Sequence, residues 1–319
     1  MKNTSKWQEI LDEVQQWQKQ TREQGHPVWY RGHSSAQWVA QSSLHRHIID
    51  CYKQVGINID DDPHKTIALR SVYLTLYRKF KARAWRFLDP SERSPWGIIF
   101  SMQHHGLHTL LLDWTESFAC ALYFAQQGRQ AECDAAIYLL NPEGLNYESF
   151  KALREVYKQR DLDCDVSPEE QLIALDESFD EKNYSSYFHP QHSQFGSIAA
   201  DACRTVAVAP FLSNPRMLAQ RAAFTLCGLS FQPLEEQFDG RILKKITLPA
   251  ETYQDSQEFL DLVGIGHFGY FPDIVNLVRD LKEETYRELK NIILLQTDTR
   301  LNHRPNTRST GAAPSECFD

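Results

Sequence analysis

Apolar residues recur every three or four positions in three segments, and this spacing predicts three long helices. The first covers residues 5–24 and is followed by Gly25, a residue type that favours helix termination. The second covers residues 66–87, and the third begins at Pro272, since proline is favoured in a first helical turn. The apolar positions are Trp7, Ile10, Leu11, Val14 and Trp17, then Leu69, Tyr73, Leu76, Phe80 and Phe87, and finally Ile274, Leu277, Val278 and Leu281.

Short apolar runs bounded by polar or glycine-containing turns predict the strands. These runs cover residues 27–31, the leucines before Asp113, and residues 134–140, 205–209, 223–229 and 242–248. Strands and helices do not alternate regularly, so the pattern favours an α+β fold with a split mixed or antiparallel sheet over a doubly wound parallel one. The acidic segment 159–187 lacks periodicity and is predicted to be an excursion or lid outside the sheet. Residues 299–319 are polar and are predicted to be a flexible tail.

The composition is that of an ordinary globular protein. Of 319 residues, 42% are hydrophobic and 24% are charged. No run of about 18 apolar residues occurs, which counts against a membrane span. The first residues lack the apolar stretch of a signal peptide, so we expect a cytoplasmic protein. The seven cysteines lack CxxC spacing, which favours reduced thiols over disulfides or a zinc site.

The net charge of −8 counts against a broad nucleic-acid interface, although not against a local basic groove. Positive charge is concentrated on the second predicted helix. Two interpretations of it stay open: an ordinary solvated face, or a surface that binds a macromolecular acceptor. The six positive residues are Arg70, Arg78, Lys79, Lys81, Arg83 and Arg86.

Three groups of polar side chains interrupt strongly apolar surroundings and are candidates for chemistry. Arg31 ends a predicted strand, where its guanidinium can grip a phosphate with two hydrogen bonds or pair with an acidic neighbour. Residues 113–115 follow a predicted strand and precede an apolar helix, so Thr115 can cap that helix or meet a ligand. Gln220 precedes another strand, and its amide can orient a ribose hydroxyl.

Two further motifs favour no ligand. His104, His105 and His108 are close in sequence, but adjacent histidines do not readily face one metal ion and Gly106 interrupts their spacing. We therefore predict no metal site. The glycines of residues 262–273 have neither Walker nor dinucleotide-binding spacing, which favours a role in packing.

Taken in order, these segments resemble the FRG-domain family, which is named after an aromatic-Arg-Gly motif, here Tyr30-Arg31-Gly32. The strongest signature is matched by QHHGLHTLLLDWT at 103–115, followed by ALYFA at 121–125. The remaining signatures, within residues 28–281, are matched by Trp38, Leu44 and Arg46, by Asn214, Arg216, Ala219, Gln220 and Phe224, and by Gly264-Ile265 and Phe271-Pro272-Asp273. The family's usual Pro and Arg are replaced by His108 and Leu110. An arginine contact to phosphate is therefore missing, and His108 is the candidate to replace part of it.

The resemblance implies a divergent ADP-ribosyltransferase-like domain over residues 27–298, preceded by a helical segment at 1–26 and followed by the tail at 299–319. It also implies NAD as co-substrate, whose bond between nicotinamide and ribose breaks through an oxocarbenium-like state. The catalytic residues it implies are Arg31, Asp113, Thr115 and Gln220, which are expected to converge on one cleft. The residues expected to bind NAD are Tyr30, Arg31, Gly32, Trp114 and Tyr123. Many such enzymes have Glu where this chain has Gln220, so Asp113 or Glu116 is expected to supply the negative charge.

The leading hypothesis is an NAD-dependent ADP-ribosyltransferase that modifies a macromolecule, with nucleic acid slightly favoured over protein. Several family members belong to bacterial toxin or phage-defence settings. The resemblance therefore also implies a toxin or defence effector, with an antitoxin or other neutralising partner as a candidate and no membrane partner. Two alternatives stay open: hydrolysis of NAD with water as the acceptor, and a nucleotide-binding sensor without turnover.

Overall fold

The computed structural model describes residues 5–159, 173–174, 204–210, 215–264 and 266–302. Contacts within the chain divide it into a larger unit, Met1–Ile265, and a smaller unit, Gly266–Asp319. Most of the predicted excursion at 159–187 lies outside the described residues, as do Asn214, Ile265 and the predicted tail beyond residue 302. The domain boundaries at residues 26 and 298 stay a prediction.

The larger unit is built on one sheet. Its strands, within the described ranges, are β1 (Trp29–His33), β2 (Leu111–Thr115), β3 (Ala135–Leu140), β4 (Ile173–Ala174), β5 (Val206–Ala209), β6 (Ala222–Leu226) and β7 (Leu243–Leu248). They are ordered β4-β5-β6-β2-β1-β3-β7. All neighbouring pairs are antiparallel except β4 with β5. The predicted α+β class is confirmed, because a doubly wound fold pairs its strands in parallel.

The strand pairing between β1 and β2 is the shortest in the described part of the sheet. β1 pairs with β3 over five register positions, and β2 pairs with β6 over five. In contrast, β1 and β2 are joined at one position, Tyr30 opposite Thr115. Strands β1, β3 and β7 thus form one antiparallel block, strands β2, β6 and β5 form another, and the two blocks meet at this seam.

Helices flank the sheet in the described part of the larger unit. In the described part of the larger unit they are α1 (Lys6–Glu23), α2 (Ser43–Gln54), α3 (Lys65–Ala84), α4 (Pro95–His104), α5 (Phe118–Gln126), α6 (Pro142–Gln159), α7 (Pro215–Ala219), α8 (Leu234–Gln237) and α9 (Tyr253–Leu262). The smaller unit contributes α10 (His267–Tyr270) and α11 (Ile274–Asn302).

The first two predicted helices are present with small differences in their bounds. Ser5 caps α1, and its Oγ accepts a hydrogen bond of 3.2 Å from the Gln8 backbone N–H. Helix α3 ends at Ala84, three residues before the predicted end. Phe87 therefore lies beyond the helix and is 87% exposed, so its predicted place on the buried face is wrong. Tyr77 is buried on that face instead.

The sheet separates two hydrophobic clusters because successive strand residues point to opposite faces. Leu111 belongs to a cluster with Leu69 of α3 and Ile98 of α4. Its neighbour Leu112 belongs to a second cluster with Trp29 and Tyr138. Helices α3 and α4 are thus packed together in the first cluster.

Three predicted boundaries differ from the structure. Residues 113–115 belong to β2 itself, rather than to the junction that follows it. Ile173 and Ala174, within the predicted excursion, pair with β5, so this part of the segment is in the sheet. Residues 299–302, expected to begin the tail, continue α11 because the helix does not end before Asn302.

In the smaller unit, Asp280 joins α11 to the start of α10. Its carboxylate accepts hydrogen bonds from the backbone N–H groups of His267 (3.0 Å) and Phe268 (2.8 Å). A Cβ on Gly266 would lie 2.4 Å from Asp280 Oδ2, so only glycine fits there without displacement. This contact agrees with the packing role predicted for the glycines of this segment.

Two predictions from composition concern the whole chain. Within the described residues, none of the helices has the length and apolarity needed to cross a membrane. The cysteines of these same residues, Cys51, Cys120, Cys133 and Cys227, are free thiols.

Candidate functional site

A cavity of about 820 Å³ is lined by both strands of the seam. Arg31 reaches it from β1, and Asp113 and Thr115 reach it from β2. Gln220, which lies between α7 and β6, also lines it. The four residues predicted to be catalytic are thus brought together at one cavity, although they are far apart in the sequence. Their catalytic roles stay a prediction.

Arg31 bridges the two strands of the seam. Its Nη1 donates a hydrogen bond of 2.7 Å to the backbone carbonyl of Asp113, and its Nε donates one of 2.9 Å to His33 Nε2. The Asp113 carboxylate is 3.8 Å from Nη1. Burial lowers the pKa of the guanidinium, while the negative charge of Asp113 raises it. The arginine stays charged, because its ordinary pKa is far above neutrality.

His33 supports this bridge as a neutral ring. Burial and the adjacent charge of Arg31 lower its pKa to about 3. Because Nε2 accepts the hydrogen bond from Arg31, the proton of the neutral ring belongs on Nδ1. The ring also packs edge-on against Tyr138, with centroids 5.0 Å apart. His33 therefore acts as an acceptor that orients the guanidinium.

The Asp113 carboxylate is oriented from the opposite side by Gln103 at the end of α4. Gln103 Nε2 donates a hydrogen bond of 2.8 Å to Asp113 Oδ2. The Gln103 side-chain oxygen accepts a hydrogen bond from the hydroxyl of the fully buried Thr109. Because Thr109 determines which end of the amide faces Asp113, the carboxylate is presented to the cavity in a defined orientation. The Asp113 residue remains exposed enough for a ligand to reach it.

Thr115 holds the turn that carries Gln220. Its hydroxyl donates a hydrogen bond of 2.6 Å to the Gln220 carbonyl and accepts one of 3.0 Å from the Ser117 N–H. Ser117, rather than Thr115, is the N-cap of α5. Arg221, the residue after Gln220, has a positive φ of 46°, which marks a tight turn. The Thr115 hydroxyl is thus engaged by protein groups, and its role in this structure is to position Gln220.

The charges around the cavity favour an anionic ligand. Among the described lining residues, three are arginines, Arg31, Arg46 and Arg216, and one is a carboxylate, Asp113. Arginine is suited to phosphate because its planar fork donates two parallel hydrogen bonds. Aromatic rings complete the wall, and those of Phe100 and Phe224 pack together with centroids 5.1 Å apart. The cavity therefore combines donors for phosphate with apolar surface for rings.

Of the residues predicted to bind NAD, some line the cavity and one, Tyr123, is not among the described lining residues. Tyr30 and Trp114 line the cavity, but they are 1% and 3% exposed. The Trp114 indole donates a hydrogen bond to Thr225 in the core, and burial raises the pKa of Tyr30 to about 12. Tyr123 is not among the described residues of the lining. Its neighbour Phe124 is, because consecutive side chains on a helix point about 100° apart.

Gly32 lines the cavity because its backbone is packed against α5. A Cβ at this position would lie 1.9 Å from the Ala121 carbonyl oxygen and 2.6 Å from the Ala125 nitrogen. The glycine of the Tyr30-Arg31-Gly32 motif therefore permits the close approach of α5 to β1.

The two departures from the family signature lie outside the cavity. Leu110 is 5% exposed and belongs to the hydrophobic core. His108 stacks on His47 with centroids 4.5 Å apart and is not one of the described lining residues. Burial, with a smaller contribution from the charges of His47 and Arg46, lowers its pKa. The expectation that His108 replaces the missing phosphate contact is therefore wrong in this structure, where Arg46 and Arg216 are the further cationic groups.

Several residues of the cavity lining were not predicted from the sequence to have a role in the site. These residues are His33, Trp38, Arg46, Phe100, Gln103, Phe124 and Arg216. Five of them, Trp38, Arg46, Gln103, Phe124 and Arg216, occupy positions of the family signatures, so the signatures contained the signal needed to find them. His33 carried no signal of its own, because its role depends on the conformation of Arg31.

Comparison with known proteins confirms the predicted family for part of the chain. Residues 26–134 match the family model of the FRG domain. This match includes β1 and β2 with Arg31, Gln103 and Asp113, and it ends before the residues of α7. A search of curated proteins and a search of solved structures each found no match.

Proposed function

We propose that this FRG-domain protein is an NAD-dependent ADP-ribosyltransferase that acts on a macromolecular acceptor. The observation that carries the proposal is the cavity at the seam, where three arginines, one accessible carboxylate and several aromatic rings meet. A diphosphate flanked by two sugars and two heterocyclic rings is a ligand that such a lining suits. We also propose that the narrow seam reflects an ADP-ribosyltransferase-like sheet.

The residues of the cavity have distinct roles in this proposal. Arg31 and Arg46 bind the diphosphate, and Gln220 donates to or accepts from a ribose hydroxyl. The bond between C1′ of the ribose and the nicotinamide nitrogen breaks, so that nicotinamide leaves with the bonding electrons and the ribose becomes an oxocarbenium ion. Asp113 stabilises this cation, because a fixed carboxylate stabilises developing positive charge. A nucleophilic oxygen or nitrogen of the acceptor then bonds to C1′ and releases its proton.

The acceptor that we propose is single-stranded nucleic acid. Arg78, Lys79 and Arg83 are exposed on α3 and are named here the basic surface of α3. Just beyond them, Trp85 is 44% exposed and Phe87 is 87% exposed. Cations interspersed with exposed aromatic rings bind single strands through phosphate contacts and base stacking. Helix α3 packs through its buried face against α4, the helix that carries Gln103 to the cavity.

A toxin or defence effector is the biological role that fits this chemistry, with a neutralising partner to protect the producing cell. Its test is growth: expression of the wild-type chain is expected to inhibit cells, and expression of Asp113→Asn is not. Equal inhibition by the two chains would contradict a role that depends on catalysis.

The deciding experiment incubates the purified protein with NAD labelled in the adenine moiety, together with cell RNA or cell protein. We expect release of nicotinamide and transfer of label to RNA, both lost in Asp113→Asn. The matched control is Glu148→Gln, since Glu148 pairs with the exposed Lys151 and is not among the described lining residues. Label on protein alone would overturn the acceptor. Nicotinamide release without label on either would indicate hydrolysis, and binding without products would indicate a sensor.

A further inference from the structure

Trp38 is a large exposed aromatic residue at the cavity. It lines the cavity and is 57% exposed. The ring of His33 contacts it edge-on, with centroids 6.0 Å apart. Most of the indole is therefore accessible, at a place where a ligand held by Arg31 would be within the same cavity. An exposed tryptophan alone needs no explanation, but this one is also held in place.

The backbone of Trp38 is fixed by side chains from the sheet. Its carbonyl oxygen lies 3.0 Å from the hydroxyl of Tyr138 on β3 and accepts a hydrogen bond of 3.2 Å from Lys245 Nζ on β7. The Tyr138 hydroxyl also lies 2.9 Å from Glu235 Oε1. Two side chains thus fix the backbone carbonyl of Trp38, and a third, Glu235, contacts one of them.

The flanking residues are fixed as well. The Ala36 N–H donates a hydrogen bond of 2.7 Å to the Asp134 carbonyl. The Ala40 N–H donates one of 3.0 Å to Glu235 Oε2, and the Ala40 carbonyl accepts one of 3.0 Å from the Leu234 N–H. A segment held on both sides of an exposed ring loses little conformational entropy when that ring binds a ligand.

We propose that Trp38 is the stacking platform for a nucleobase of the bound nucleotide, and that Tyr138 is a positioning residue for it. The inference rests on the proposed function, because it takes the phosphates of the same ligand to lie on the cavity arginines. An indole face suits any flat heterocycle, and base stacking on aromatic side chains is tolerant of base identity. A ligand that joins such a ring to phosphates is a nucleotide. In NAD the ring is adenine or nicotinamide, which the test distinguishes.

The test measures binding by calorimetry, so that it does not depend on turnover. The ligands are NAD, ADP-ribose, which retains adenine, and nicotinamide mononucleotide, which retains nicotinamide. Trp38→Ala is expected to weaken NAD and one of the two fragments by about 5-fold to 150-fold, the range of one lost base stack. Trp38→Phe, which keeps a smaller ring, is expected to lose less. Tyr147→Ala is the matched control, since Tyr147 is also an exposed aromatic residue and is not among the described lining residues.

The outcomes separate this inference from the proposed function. If wild-type protein binds these ligands and Trp38→Ala binds them equally well, the stacking role is wrong and the proposed function stands. If wild-type protein binds none of them, both are wrong. Loss of ADP-ribose binding identifies adenine as the stacked ring, and loss of nicotinamide mononucleotide binding identifies nicotinamide. Trp38→Ala is expected to unfold cooperatively at close to the wild-type temperature, because more than half of the side chain is exposed.

The positioning role of Tyr138 is tested by a double-mutant cycle. Tyr138→Phe removes the hydroxyl near the Trp38 carbonyl and is expected to weaken the same ligand by a smaller factor. In the background of Trp38→Ala, Tyr138→Phe is expected to have no further effect on affinity, since a platform that is absent cannot be positioned. Additive losses in the double variant would show that Tyr138 acts independently and would overturn its assignment.

Discussion

Replacement of Arg31 is expected to destabilise the fold as well as the site. Two acceptors depend on its guanidinium, the Asp113 carbonyl and His33 Nε2, and its side chain is 18% exposed. A hydrogen bond to a charged group contributes roughly 1.5–3 kcal/mol when it is buried. The bond to His33 is partly buried, whereas the Asp113 carbonyl is exposed and water can replace its donor. We therefore expect Arg31→Ala to lower the free energy of unfolding by about 2–4 kcal/mol. Arg31→Lys is expected to lower it by about half as much, because one ammonium cannot replace both Nε and Nη1.

The assay is urea-induced unfolding, followed by tryptophan fluorescence and far-ultraviolet circular dichroism. Arg221→Ala is the control, because Arg221 forms an ion pair with Glu116 while its side chain is 61% exposed, and such surface pairs contribute at most about 1 kcal/mol. Unfolding of Arg31→Ala at the wild-type urea concentration would refute the bridge. Arg31 would then have no structural role at the seam, and its positive charge would matter for ligand binding alone.

Three further outcomes follow from other contacts. The pKa of His33 is about 3 in the folded chain and about 6.5 in the unfolded chain, so between these values only the unfolded chain binds the proton. The free energy of unfolding should therefore fall with decreasing pH by up to about 1.4 kcal/mol per pH unit. His33→Gln, which keeps an acceptor for Arg31, should reduce that slope in urea titrations, and an unchanged slope would exclude His33 as its source. Gly32→Ala should lower the free energy of unfolding by about 3 kcal/mol or more, because α5 must move to make room for the new Cβ. Gly240→Ala should not lower it, because the space around its Cβ is open, and equal melting temperatures of the two variants would contradict the packing. Replacement of all three residues of the basic surface of α3 by Glu should abolish RNA labelling without changing the affinity for ADP-ribose. As the control, RNA labelling should persist when Glu replaces three exposed lysines elsewhere, Lys19, Lys53 and Lys151.

Periodicity identified most elements, because burial of a strand or helix face leaves a direct trace in the sequence. It located β3, β5, β6 and β7 to within a few residues and it identified α1 and α3. It misplaced Phe87 because the apolar period continues past Ala84, where the helix ends. It could not reveal that residues 113–115 lie within β2, since an exposed Asp113 in an otherwise buried strand interrupts the pattern.

Part of the site was predicted from the sequence, and that prediction came from the motif signatures. They included Arg31, Asp113 and Gln220, which the fold brings to one cavity. The partners of these residues depend on tertiary contacts that sequence spacing does not encode. The engagement of the Thr115 hydroxyl by Gln220, across more than 100 residues, is one example. The burial of Trp114 beside an exposed Asp113 is another, because both positions belong to one signature and only the sheet separates their environments.

The seam between β1 and β2 is the line along which ladder bonds constrain the described part of the sheet least. A sheet resists bending through its ladder bonds, and between β1 and β2 the ladder is reduced to one register position beside the Arg31 side chain, while the two blocks also share the buried cluster that contains Trp29, Leu112 and Tyr138. Opening at this line would part Arg31 from Asp113 while leaving each block intact. A phosphate that binds to Arg31 would therefore act on the same group that clasps the blocks together. Occupancy of the cavity and closure of the sheet would then be thermodynamically linked, so that the ligand sets the width of its own binding site.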